Sequence, residues 1–394
     1  MKIGQECLRS FPPGGQPSVP TAPRRSGWRA AGLIAVALIL MAGFVVVAPY
    51  LSTTLKQGYS VFSQLASTTL GVSTITGGAT ATTSVGSCSS AVAIKPLTAP
   101  DITNGSADVA YPPDYCTLAQ YALSLINTDR AANGTGPVAL DFNQAAQQHA
   151  DSMIYYRYFS HFDTQGYKPY MRYTLLGGTG ADYENIAYQT YGTSPFGQLS
   201  ALEGAINNLE HLMVYNDAAC CNNGHRDNIL NPLHNYVSIG ISYNSTYVFF
   251  DEEFQNYYIN LNLTVSGPST SSPYYVSMQG TAVAGTPVPG SVYVFYDGPP
   301  AAQTRSQLNA GPHEYTPGTF IGGVLPRNVL GTCNQFLTGT TVCADKWAFG
   351  SGAVDIAFPL EQFVRDYGPG VYTLYLITGP NTDYSLTTIS VFVT

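Results

Sequence analysis

Four residues of this sequence have the side-chain types a site needs: His161 in "RYFSH", Glu184 in "YENIAY", Glu210 in "NNLEHL" and His225 in "NNGHRDNIL". Asp, Glu, Lys and Arg make up only 10% of the chain, so two imidazoles and two carboxylates are scarce groups. Brought together they could coordinate a divalent cation, zinc above all through the histidines, or supply a base and an acid without metal. Separations of 23, 26 and 15 residues fit no contiguous metal motif. Only the fold can join them.

Other groups of the same types read as structure. His149 lies beside Ala150 and Met153 on a helical pattern and reads as a core or rim histidine rather than a fifth ligand. His211 points away from its neighbour Glu210, and His234 and His313 have no cluster around them. Ser160 adjoins His161, but adjacent residues rarely aim at each other and no nucleophile elbow is present, which argues against a serine hydrolase. The run Asp251, Glu252, Glu253 reads as a solvated strand end, with a calcium contact as the alternative.

The elements that must position the four are legible from periodicity. "TLAQYALSLINTDRAANG" carries Leu118, Tyr121, Ala122, Leu125 and Ile126 at helical spacing and stops at Asn-Gly. "DFNQAAQQHADSMIYYRYF" predicts a second helix with Asp141 as its cap. "PYMRYTLL" predicts a short third, "FGQLSALEGAINNLEHLMVY" a longer fourth and "HRDNILNPL" a brief last one. "YVSIGISY" and "STYVFFDEEF" alternate as a hairpin. Beyond "VSGPSTSSP" the helical period ends. Short strands between Gly and Pro turns then predict an all-β sandwich whose role is structural or adhesive.

The series "LINTDRAANGTGPVALDFNQAAQQHADSM", "SHFDTQGYKPYMRY", "ENIAY", "GHRDNILNPLHNYVSIGISY" and "YVFFDEEF" resembles the CAP superfamily of cysteine-rich secretory and plant pathogenesis-related proteins, its prokaryotic branch above all. The likeness covers roughly residues 117–258, with five motifs in order. It implies an α-β-α sandwich whose cleft gathers His161, Glu184, Glu210 and His225 as a metal set, Glu184 or Glu210 serving as general base if the protein is an enzyme. Glu203, seven residues before Glu210 on the same helix, is an alternative second glutamate. Asn207 replaces the family's tryptophan, and Tyr183 stands where a glycine is usual before the glutamate. Under this resemblance Gly224 allows close backbone approach, His225 turns inward, and Arg226 anchors a carboxylate or carbonyl.

Around this region the chain has a layered plan. Ala30 to Ala48 carries no charge and is long enough to cross a bilayer at about 1.5 Å per residue. Lys2, Arg9, Arg24, Arg25 and Arg29 precede it, which places residues 1–29 in the cytoplasm and everything after the anchor, residues 30–51, outside. Pro49 directly after Ala48 is a poor partner for signal cleavage, which favours an uncleaved anchor. Residues 52–112 read as a Ser/Thr/Gly-rich stalk, 113–264 as the α+β domain and 265–394 as the β-sandwich.

The exterior part holds eleven Lys plus Arg against twenty-three Asp plus Glu, a net charge of −12, which excludes nucleic acid as a partner. Six cysteines fall outside and suit a disulfide framework, with Cys333 and Cys343 paired; Cys88, Cys116, Cys220 and Cys221 allow three connectivities. Sequons at Asn104, Asn133, Asn244 and Asn262 permit glycosylation. The expectation is an anchored surface module binding a divalent metal, with zinc as first choice, or a small ligand or cell-surface component. A metal-assisted hydrolase of envelope peptide or glycan, and a structural component with an inactive cleft, are the alternatives.

Overall fold

Strand β4 (Tyr247–Asn256) of the α+β region has no solvent face, because helices cover the sheet on both sides. The computed structural model describes residues 115–190, 199–244, 246–266, 274–312, 314–336, 338–350, 352–379 and 384–394, all within one compact unit. The expected tail, anchor and stalk lie outside these residues, as do Cys7, Cys88, Asn104 and His313. No helix among the described residues is long and apolar enough to cross a membrane.

The first region runs α1 (Tyr115–Ala132), β1 (Ala139–Asp141), α2 (Ala145–Tyr156), α3 (Pro169–Leu175), β2 (Ala181–Thr190), α4 (Leu199–Tyr215), α5 (Ala218–Cys221), α6 (Gly224–Ile229), β3 (Tyr236–Tyr243) and then β4. The sheet order is β1-β3-β4-β2, with β1 parallel to β3 and the other pairs antiparallel. One face packs on α1 and α4 through Leu118, Ile126, Leu202, Ile206, Ile239 and Phe250. The other meets α2 through Met153, Ile154, Ile186 and Phe249. Gly240 permits that second packing, since a Cβ there would lie 2.2 Å from the Ala146 carbonyl oxygen of α2.

Two expectations need correction. Asp141 ends β1 rather than capping a helix, and Asn143 Oδ1 accepts the first amide of α2 instead. The acidic run is not solvated: Asp251, Glu252 and Glu253 are fully buried, because β4 is flanked by β3 and β2 and covered on both faces.

The second region contains β5 (Ile259–Ser266), β6 (Tyr275–Ala282), β7 (Pro289–Asp297), α7 (Arg305–Ala310), β8 (Thr319–Leu325), β9 (Thr340–Cys343), β10 (Lys346–Gly350), β11 (Ala353–Pro359), α8 (Glu361–Tyr367), β12 (Gly370–Thr378) and β13 (Ile389–Val393). Its sheets, β10-β11-β6-β5 and β13-β12-β7-β8-β9, enclose an apolar core that includes Val276, Met278, Val292, Ile356 and Leu374. β5 pairs with β6, so the sandwich takes its first strand directly after Tyr258. Cys333 and Cys343 are bonded across a loop of β8 and β9. Cys116 is also disulfide-bonded, whereas Cys220 and Cys221, adjacent on α5, are free thiols.

The sandwich closes the open edge of β2. An edge strand leaves unpaired amides that must find partners. The Asp182 amide donates to Thr388 Oγ1 at 3.0 Å and the Glu184 amide to the Tyr315 hydroxyl at 3.0 Å. Lys168 Nζ pairs with Asp297 Oδ1 at 2.6 Å, and α7 adds Leu308 to the α2 cluster and Asn309 Oδ1 to the Phe159 amide.

Candidate metal centre

His161 follows α2, and its Nδ1 lies 2.7 Å from Glu184 Oε1 on β2. Burial pushes the Glu184 carboxyl up, but Arg172, His149 and His161 outweigh it and hold the pKa at about 2. Glu184 is therefore an anion and His161 Nδ1 must be the donor. Nε2 is left as a bare lone pair, buried and without a partner. A carboxylate fixing one imidazole nitrogen while the other stays free is the arrangement of a histidine ready for a metal. Burial lowers the His161 pKa and outweighs the opposing pull of Glu184, which keeps the ring neutral.

Arg172 of α3 holds this half in place. It donates to the carboxylate of Glu184 through Nη2 and to the carbonyls of His161 and Tyr167 through Nη1, at 2.8 and 3.1 Å. Tyr315 from the sandwich sets its ring edge-on against His161, centroids 4.9 Å apart.

His225 sits at the opening of α6. Asn222 and Asn223 precede it with φ of 51° and 65°, the left-handed conformation that asparagine tolerates. They, and not Gly224, reverse the chain and turn the imidazole inward. Asp217 then receives three bonds: from the amides of His225 and Arg226 at 2.8 and 3.2 Å, and from His225 Nδ1 at 2.8 Å. His225 Nε2 is likewise buried and unpartnered. Arg226 reaches the Val214 carbonyl at 2.7 Å and Asn133 Oδ1 at 2.8 Å. Arg130, fully buried, donates to the carbonyls of Ile229, Asn231 and His234 and fixes the segment after α6.

Glu210 points inward from α4 with both oxygens lacking a donor, while Glu203 on the same helix is half-buried. Burial raises the Glu210 pKa well above the usual range, and the carboxyl of Glu252 raises it further. Glu252, pushed up to about 7 by burial, accepts from Asn185 Nδ2 at 3.3 Å.

The structure thus joins His161 directly to Glu184 and His225 to Asp217, while the Glu210 carboxyl feels that of Glu252. All four expected residues are buried. Tyr183, at the family's glycine position, stacks toward His234 with centroids 5.0 Å apart. His234 has both ring nitrogens engaged, by Asn256 and Asn228. Ser160 Oγ accepts the Phe162 amide.

Among the described residues, two groups bring ligand atoms within 4.8 Å of one another: His149 with Glu184 and Asp251, and Asp217 with Cys220 and Cys221. The sequence reading missed Asp217, Arg172, Tyr315 and Glu252 as parts of the site. The signal for Glu252 was available, since acids inside the apolar strand "YVFFDEEF" break the pattern of a solvated edge.

Residues 123–259 match the model of the cysteine-rich secretory protein family, CAP. No curated protein matches the chain.

Proposed function

Residues 123–259 form a CAP domain, and from that premise we propose that the protein is a membrane-anchored binding module on the outer surface of the cell, whose His/Glu interior takes a divalent cation. One observation carries this reading. His161 and His225 each have Nδ1 bound to a carboxylate and Nε2 buried with no partner. An unmet acceptor in a dry interior costs roughly 1–3 kcal/mol, and a cation bound at either nitrogen would satisfy it. His161 and His225 would supply nitrogen, Glu210 a carboxylate, and Glu184 would orient His161. Zinc suits this donor set. The ion would act as a Lewis acid or as a bridge to a ligand.

Placement outside the cell rests on the apolar stretch at 30–51 and its basic flank, and the Cys333–Cys343 disulfide supports an oxidising compartment. The Glu210–Glu252 carboxyl pair favours a second reading, a hydrolase of envelope peptide or glycan, in which that pair handles the proton. Zinc titration of the full chain in mild detergent tests the first. His225→Ala should weaken one class of sites at least about tenfold; unchanged affinity and stoichiometry removes the metal claim. Hydrolysis requires turnover that Glu210→Gln abolishes with the fold intact.

A further inference from the structure

The sheet face toward α2 carries more buried carboxyls than its surroundings satisfy. Cross-strand register places Glu184 opposite Glu253 and Ile186 opposite Asp251, with Asp182 one step along the same face. All four acids are buried, and Arg172 is the cation that reaches them, 3.9 Å from Glu253 Oε1 and bonded to Glu184. Both oxygens of Asp251 and both of Glu253 lack any hydrogen-bond partner. Protonation would remove the charge but leave each acid with a hydroxyl that still needs an acceptor, and none is in place. A cation satisfies the lone pairs directly.

His149 faces the same space from α2. Its Nε2 lies 2.8 Å from the Ser160 carbonyl. A carbonyl only accepts, so Nε2 carries the proton and Nδ1 is bare; it too is buried without a partner. Burial, with Arg172 adding to it, drops the His149 pKa to about 3, so the ring is neutral. One ligand atom each from His149, Glu184 and Asp251 already lies within 4.8 Å of the others, and the His149 nitrogen 3.9 Å from Glu184 Oε2 is Nε2; coordination through it moves its proton to the bare Nδ1 and gives up the Ser160 bond. Ligands about 2.1 Å from one ion are at most about 4.2 Å apart, so contraction of well under an ångström would close the site.

We propose that His149, Glu184 and Asp251 form a second divalent-cation site, on the α2 face of the sheet and separate from the one between His161 and His225. One nitrogen and two carboxylates select a transition cation of the zinc or manganese class. Glu253 stands beside it as a further oxygen donor. Gly240 opposite Asp251 contributes no side chain, and that brings α2 close enough for His149 to take part. The site shares only Glu184 with the centre described above and stands or falls on Asp251.

Zinc-loaded full chain, desalted at pH 7.5 and assayed for bound zinc, tests it in four proteins. The parent should retain two equivalents, His225→Ala one, Asp251→Asn one and the double variant none. If the His225 centre alone is wrong, parent and His225→Ala each hold one and Asp251→Asn none. The proposal is overturned if Asp251→Asn keeps the parent's count, or if the double variant holds as much zinc as His225→Ala. Asp251→Asn preserves shape and relieves repulsion, so its fold should persist. His149→Phe serves as a second variant and should lose the same equivalent, with melting in chelator reporting on folding.

Discussion

Arg172→Met, measured in chelator, tests the electrostatic logic of the interior. The guanidinium is almost wholly buried and supplies three hydrogen bonds, one of them to a carboxylate with no solvent contact. Breaking a buried pair by removing one partner costs about 3–5 kcal/mol. Linkage gives a similar figure: a carboxyl held at about 2 rather than 4.5 contributes roughly 3 kcal/mol at neutral pH. At about 2–4 °C per kcal/mol, the melting temperature at pH 7.5 should fall by about 6–20 °C.

The pH dependence of that loss is the sharper check. Glu184 has a depressed folded-state pKa, so its contribution is present above the unfolded value near 4.5 and is lost as pH falls through about 2. Without Arg172 the carboxyl has no such anchor and burial raises its pKa. The gap between parent and variant should therefore be full at pH 7.5 and clearly smaller at pH 3. Differential scanning calorimetry at both values reads it. A fall under about 2 °C at pH 7.5, or an equal gap at both pH values, refutes the assignment of Arg172 as the charge that holds Glu184 ionised.

The remaining expectations are narrower. Asp182, Asp251, Glu253 and Glu210 all have raised folded-state pKa values, burial being the main cause; their contribution is present below the unfolded values and lost as pH rises, so the metal-free parent should melt higher at pH 5 than at pH 8. Tyr315→Phe keeps the ring against His161 but leaves the Glu184 amide without its acceptor, which should cost about 1–3 kcal/mol in urea unfolding. Replacing Cys333 and Cys343 by serine opens a loop of sequence separation 10 and should cost about 3 kcal/mol on the chain-entropy account, with an unchanged melt as the contrary result. Gly240→Ala puts a methyl 2.2 Å from the α2 backbone and should destabilise by about 1–3 kcal/mol or more.

What could be read from the sequence follows the physics of local periodicity. The helices at 115–132 and 199–215 and the strands around 236–256 carry strong apolar repeats, and the repeats predict the elements. Strand β2 carries acids and tyrosine beside its apolar residues and offers no such repeat, so the edge that matters most to the site was invisible. His161 and Glu184 were legible because short motifs mark them. Arg172 and Asp217 were not: each acts on a partner 11 or 8 residues away through a turn that only the folded backbone defines. The acidic run at 251–253 was misread because exposure was inferred from charge, whereas exposure is set by the layers on either side of β4.

Tyr315 shows why the β-sandwich cannot be treated as a passive support. A lone edge strand carrying Glu184 would present its amides to water, and water would then compete for the carboxylate that orients His161. Tyr315 and Thr388 take those amides, and the Tyr315 ring covers the face of His161. In that dry setting the bond between Glu184 and Arg172 is strengthened and the lone pair on His161 Nε2 stays unquenched. The same closure leaves Asp251 and Glu253 without solvent. Both candidate cation sites therefore depend on a residue 90 or more positions downstream of their histidines, whose ring lies against His161. A Tyr315→Ala variant should accordingly take up zinc faster than the parent in stopped-flow competition with a chromogenic chelator, and equal rates would place the entry route elsewhere.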